Sequence, residues 1–145
     1  MLSTTISTNP LSAVELQQGL VANQFRLCYQ PIISLVTSKL LGWEALVRWQ
    51  HPCRGQLGPS AFIPMAEKTG QISLLGEWIL GQACQRLRDW QQKSGNPSLF
   101  VSVNLSPLQL HHPRFLWQVD RTLTATGLEP ALLKAGVNGN GSHQR

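Results

Sequence analysis

Two periodicities alternate along this chain. Over residues 40–49 the pattern is strand-like: Trp43, Ala45, Val47 and Trp49 fall on one side, and Gly42, Glu44, Leu46 and Arg48 on the other. Residues 99–105 repeat it, with Leu99, Val101, Val103 and Leu105 on one face and Phe100, Ser102 and Asn104 opposite. Between them the spacing turns helical. Leu75, Ile79, Ala83, Leu87 and Trp90 predict a helix over residues 74–93, stopped at Gly95. Gly76 and Gly81 inside it each cost about 1 kcal/mol relative to Ala, which points to close packing there.

The remaining elements follow from local signals. Ser12 and Glu15 have capping-box spacing, so a first helix is expected to run to about Ala22. Residues 25–32 read as a strand whose Pro31 marks its end or an irregular edge. Thr37-Ser38-Lys39 is a polar turn, making this strand and the next a hairpin-like pair. Residues 50–60 hold two Pro and two Gly and predict a loop. A short helix over 61–68 ends at Gly70, and after Pro107 a short helical turn precedes a helix over 113–126. The rhythm is that of a parallel α/β sheet or barrel, which places its sites at the C-terminal ends of strands. Residues 1–10 predict a frayed leader, and residues 135–145, without any period, a disordered tail.

The 145 residues suffice for one domain with a real core. Twelve basic and seven acidic residues leave a net charge of +5, but the basic residues are scattered, which argues against a nucleic-acid stripe. No apolar run approaches the ~20 residues of a membrane span. Cys28, Cys53 and Cys84 show neither CxxC nor zinc-site spacing and read as reduced thiols, mostly filling the core. A cytoplasmic protein is expected. The four His residues have no partner spacing and are assigned no chemistry; the Trp residues are read as packing groups.

The charged side of the 40–49 strand is the candidate site. A buried face rarely carries charge without a partner or ligand. Glu44 and Arg48 lie roughly 13 Å apart along a straight strand, so they serve different targets, such as a metal and a phosphate.

Four motifs in order resemble the EAL domain of bacterial cyclic di-GMP phosphodiesterases. They are Tyr29-Gln30-Pro31-Ile32, Glu44-Ala45-Leu46-Val47-Arg48-Trp49-Gln50-His51-Pro52, Phe62-Ile63-Pro64-Met65-Ala66-Glu67-Lys68-Thr69-Gly70 and Val101-Ser102-Val103-Asn104-Leu105-Ser106. The resemblance implies a (β/α)8 TIM-type barrel that hydrolyses cyclic di-GMP to linear pGpG with Mg2+ or Mn2+. By matching position, Glu44 and Asn104 are implied metal ligands, Arg48 a phosphate ligand, and Gln30 and Leu46 substrate contacts. Carboxylate and amide oxygens suit a hard cation, and Arg forks onto phosphate.

Such barrels run to about 250 residues, so the resemblance covers an N-terminal half, residues 11–134. The expected architecture is an incomplete barrel of about three strands with flanking helices. Next the family expects a strand such as Leu-Glu-Leu-Thr-Glu, carrying a further metal-binding Glu. Written as CTG GAG TTA ACG GAA with one G inserted in front, it reads GCT GGA GTT AAC GGA, or Ala-Gly-Val-Asn-Gly, the sequence of residues 135–139. A one-base frameshift is therefore expected. The functional expectation is a truncated EAL domain, inactive alone. The alternative is a non-catalytic module that binds cyclic di-GMP or a partner such as another EAL or GGDEF-type domain.

Overall fold

The structure, a computed structural model, describes residues 9–137. Helix α1, Ala13–Val21, starts at the anticipated capping box: Glu15 N donates to Ser12 Oγ at 3.2 Å, and Ser12 N donates back to Glu15 Oε1 at 3.3 Å. Strands β1, Phe25–Ile33, and β2, Leu40–His51, form the expected antiparallel hairpin. Pro31 sits inside β1, and the register slips between Ile32 and Ile33. An edge strand tolerates both, because β1 pairs with β2 alone.

Residues 50–60 are more regular than a loop. β2 continues to His51 and turns back through β3, Gly55–Leu57, pairing Trp49 with Leu57. Gly55 at φ +72° supplies the reversal. Helix α2, Pro59–Thr69, then begins with Pro at its first turn and ends at Gly70 in the left-handed region. Helix α3, Ile72–Ser94, matches the sequence reading and ends at Gly95. Gly76 is tightly packed, but nothing lies within 4 Å of a Cβ at Gly81, so close packing explains only the first of the two.

Strand β4, Phe100–Leu105, lies parallel to β2, followed by α4, Pro107–Leu110, and α5, Phe115–Thr126. After a 3-10 turn at Pro130–Leu132, strand β5, Leu133–Val137, pairs parallel to β4. This corrects the expectation of disorder from Ala135 as far as Val137. A ladder is made by backbone groups, so a run poor in apolar side chains still extends a sheet beside a strand with an unpaired edge. The expectations for 1–8 and 138–145 lie outside the described residues.

The sheet order is β1-β2-β4-β5, with β3 on β2. One face packs on the helices. Ala45, Val47 and Trp49 from β2 and Val101, Val103 and Leu105 from β4 are buried there with Leu75, Leu80 and Leu87 of α3. Trp49 stacks on Phe25 at 4.9 Å and meets Phe62 edge-on at 5.7 Å, while its Nε1 donates to Gln24 Oε1. Cys84 is buried here, but Cys28 and Cys53 are exposed, so only one of the three thiols fills the core. Cys28 alternates onto the other sheet face and Cys53 lies in the β2–β3 turn, which spacing along the chain does not distinguish.

Candidate functional site

The opposite sheet face carries the polar side chains. Register aligns Gln30 of β1 with Glu44 of β2, Glu44 with Ser102 of β4, and Ser102 with Lys134 of β5, a row across four strands. Two residues further along, Asn104 pairs with Gly136. Alternation puts Leu46 and Arg48 on this face beyond Glu44. The sheet thus gathers all five sequence-predicted positions, Gln30, Glu44, Leu46, Arg48 and Asn104, on one side.

Within it, Asn104 Nδ2 donates to Glu44 Oε1 at 3.2 Å. That hydrogen bond sets the amide so that Oδ1 remains an acceptor on the adjacent strand. Glu44 and Arg48 do not pair with each other. Arg48 donates to its own Val47 carbonyl at 2.8 Å and stands directly opposite Arg26 in the register. Arg26 turns back to donate to the carbonyls of Asn23 and Phe25, so the two guanidiniums are held by separate backbone groups. At the other end of the face, Gly42 opposes Phe100, and a Cβ there would fall 2.3 Å from the Phe100 carbonyl oxygen. Only glycine admits this approach.

β2 and β4 stay paired only as far as Ala45 and Val103. Beyond that point they part, and α2 bridges a cavity of about 390 Å³. Ala45, Val47 and Leu105 of the helix-packed face line it with Leu46 and Asn104, together with Glu67 of α2 and Ser106 and Gln109 from the segment after β4. Ser106 Oγ donates to Glu67 Oε2 at 2.7 Å, tying that segment to α2. Gln109 is 2% exposed, and its Nε2 has no partner. Gly76 makes room for it, since a Cβ would lie 1.8 Å from that nitrogen. An apolar cavity of this size with a few convergent polar groups is the usual form of a small-molecule pocket. Glu67, Ser106 and Gln109 were not read as functional from the sequence; the Phe62–Gly70 motif marked Glu67 only as part of a match.

The far end of β2 is held by His51, 8% exposed. Its Nδ1 accepts from Cys53 N and Arg54 N at 3.1 and 3.2 Å, which assigns the ring proton to Nε2, 2.8 Å from Glu15 Oε2. The hydrogen bond from His51, with support from Ser12 N and Arg54, holds the Glu15 carboxyl below its usual range. The sequence reading gave His51 no role. Its partner is 36 residues away, beyond any local spacing signal.

Glu44 and Asn104 offer hard oxygens on adjacent strands, but the contact between them is made by the Asn104 amide nitrogen, 3.2 Å from Glu44 Oε1. No group of three or more His, Cys, Asp or Glu side chains converges among the described residues. The position in register with Asn104, where a third ligand would stand, is Gly136. This set does not fit a two-metal hydrolytic centre.

The profile of the EAL domain matches residues 13–144. The chain belongs to the EAL domain family. It is 41% identical over 125 residues to an uncharacterized signaling protein of Caulobacter vibrioides, covering 86% of this chain and 15% of that protein. It is 40% identical over 119 residues to the bifunctional diguanylate cyclase/cyclic di-GMP phosphodiesterase MucR of Pseudomonas aeruginosa, covering 82% of this chain and 17% of that one. Among solved structures, a MucR phosphodiesterase–cyclic di-GMP complex superposes with a TM-score of 0.79 at 39% identity, over 84% of this chain and 49% of the other. The FimX EAL domain of Pseudomonas aeruginosa bound to cyclic di-GMP gives 0.74 at 28% identity, over 86% and 48%. The chain therefore spans about half of the solved EAL chains and a smaller part of the curated relatives.

These EAL domains are TIM-type barrels, so the sheet β1-β2-β4-β5 with its helices is the corresponding part of such a barrel. EAL phosphodiesterases are generally metal-dependent. No helix among the described residues is long and apolar enough to cross a membrane.

Proposed function

We propose that this EAL chain carries the first part of a cyclic di-GMP site and does not by itself hydrolyse the nucleotide. The observation that carries this reading is the Asn104–Glu44 contact on the polar sheet face, beside the 390 Å³ cavity. In this reading Glu44 and Asn104 hold Mg2+ or Mn2+ weakly, and Arg48 takes a phosphate oxygen. Gln30 and Leu46 contact the nucleotide, with part of it in the cavity. Hydrolysis requires a further carboxylate and a group to activate water, which residues 9–137 do not bring to this face. The chain acts in the cytoplasm, in second-messenger signalling.

Incubation with cyclic di-GMP and Mg2+ or Mn2+, followed by chromatography, tests the catalytic half of this reading. Appearance of linear pGpG would refute it. Calorimetry with the same nucleotide tests the other half, and absence of binding would remove the site altogether.

A second reading rests on β5, the last strand in the sheet order among the described residues. A parallel edge strand is a template for another polypeptide. The partner would be another EAL or GGDEF-type domain that supplies further β/α units. Co-purification and a stoichiometric shift in mass on mixing with such a domain would support it, and a monomeric mass in the mixture would not.

A further inference from the structure

A second hollow lies beside the edge strand β1, away from Glu44 and Asn104. It is a cleft of about 250 Å³ between β1 and α3, lined by Asn23, Arg26, Tyr29, Trp78, Gln82 and Arg86. No acidic side chain lines it. Neither arginine has a carboxylate within ion-pair distance among the described residues. Two arginines lining one cleft without a counter-charge make it a basic surface that favours an anion.

The cleft is also organised. Arg26 NH1 donates to the carbonyls of Asn23 and Phe25, which fixes the plane of the guanidinium and leaves its other N–H groups for a ligand. Arg86 is steadied over the Trp90 ring at 5.8 Å. Arg86 also hydrogen-bonds the Tyr29 hydroxyl, and Asn23 and Gln82 add neutral donors. Phe25, Leu27 and Trp78 make the wall apolar, with Phe25 and Trp78 rings 6.1 Å apart.

We propose that this cleft binds a small phosphate monoester with a planar aromatic group. Its phosphate lies between Arg26 and Arg86, and its ring lies against Trp78. Forked guanidinium N–H groups match phosphate oxygens, and the aromatic wall favours an organic ester over the bare ion. The cleft's lining shares no residue with the proposed cyclic di-GMP site, so either can be correct without the other.

The probe is phenyl phosphate, titrated into the chain while nuclear magnetic resonance follows the Arg26 and Arg86 side-chain Nε–H and the Trp78 indole N–H. Saturable shifts at all three are expected, with inorganic phosphate binding more weakly. Arg86→Gln and Arg26→Gln should each weaken the binding by about tenfold, the worth of one charge-assisted contact. Arg121→Gln removes the same charge from α5 and should leave it unchanged. The proposal is overturned if the three signals do not saturate. It is equally overturned if R121Q weakens binding as much as R86Q, since the shifts would then report only the net positive charge. Far-ultraviolet circular dichroism of each variant confirms that the comparison is between folded chains.

Discussion

Gly136 stands opposite Asn104 across the β4–β5 ladder, and a Cβ placed on it would meet Asn104 Oδ1 at 3.4 Å. That is ordinary van der Waals contact, so the position has space for a side chain and no strained backbone to relieve. It is also where the family's expected Leu-Glu-Leu-Thr-Glu strand would set its first Glu, aligned on residues 135–139. Gly136→Glu should therefore add a third oxygen ligand to Glu44 and Asn104. Its expected effect is at least about a tenfold gain in Mn2+ affinity by calorimetry. If the folded variant binds Mn2+ no better than the parent chain, Gly136 is not the missing ligand position.

The Glu15–His51 pair makes stability depend on acid pH. Glu15 is held below its ordinary value by the hydrogen bond from His51, so its contribution is fully present above the unfolded carboxyl pKa near 4.5 and is lost as pH falls through the lower folded value. Urea midpoints measured from pH 7 down to 3 should fall across that window, and less steeply in Glu15→Gln. Equal slopes in both chains would show that the pair is not linked to folding. His51→Ala should cost about 1–3 kcal/mol at pH 7, because Cys53 N and Arg54 N lose their acceptor as well.

Local signals made much of this fold legible. The Ser12–Glu15 box, the period over α3 and the alternation of Gly42–Trp49 each depend on residues a few positions apart, and each appears as anticipated. What could not be read are features made by distant residues or by backbone alone. Ala135–Val137 join the sheet because β4 offers a ladder partner, although their side chains give no strand signal. His51 meets Glu15 only after α1 and the β2 end are brought together. At the candidate site, alternation placed Glu44, Leu46 and Arg48 on one face, but the cavity beside them arises from β2 and β4 parting after Ala45 and Val103. A register ending of that kind leaves no mark in sequence.

Gly42 and Gly76 are both crowded, yet they should respond differently to Ala. At Gly42 the new Cβ meets the Phe100 backbone oxygen at 2.3 Å, and a paired strand cannot give. Gly42→Ala should cost stability at or beyond the upper end of the about 1–3 kcal/mol typical of overpacking. At Gly76 the obstruction is the Gln109 amide, which borders the 390 Å³ cavity and can swing into it. Gly76→Ala should fall near the lower end of that range and should weaken cyclic di-GMP binding by filling the cavity. Denaturation midpoints rank the two losses. A Gly76→Ala loss as large as that of Gly42→Ala would mean that Gln109 is locked in place.

Asn104→Asp tests whether Glu44 and residue 104 form a cation site or only a neutral hydrogen bond. The substitution exchanges the Nδ2 donor, 3.2 Å from Glu44 Oε1, for a carboxylate oxygen. Two carboxylates at that separation cannot both ionise without cost, so one is held protonated in the folded chain. Its folded pKa then exceeds the unfolded one. The variant should match the parent chain in acid and lose stability as pH rises through that folded value. Millimolar Mg2+ should return the lost stability at pH 7, while leaving the parent chain nearly unchanged. A thermal scan with and without Mg2+ reads both effects. If Mg2+ leaves the destabilised variant where EDTA does, the pair lacks the geometry to share a cation, and the metal role assigned to Glu44 and Asn104 fails for this chain.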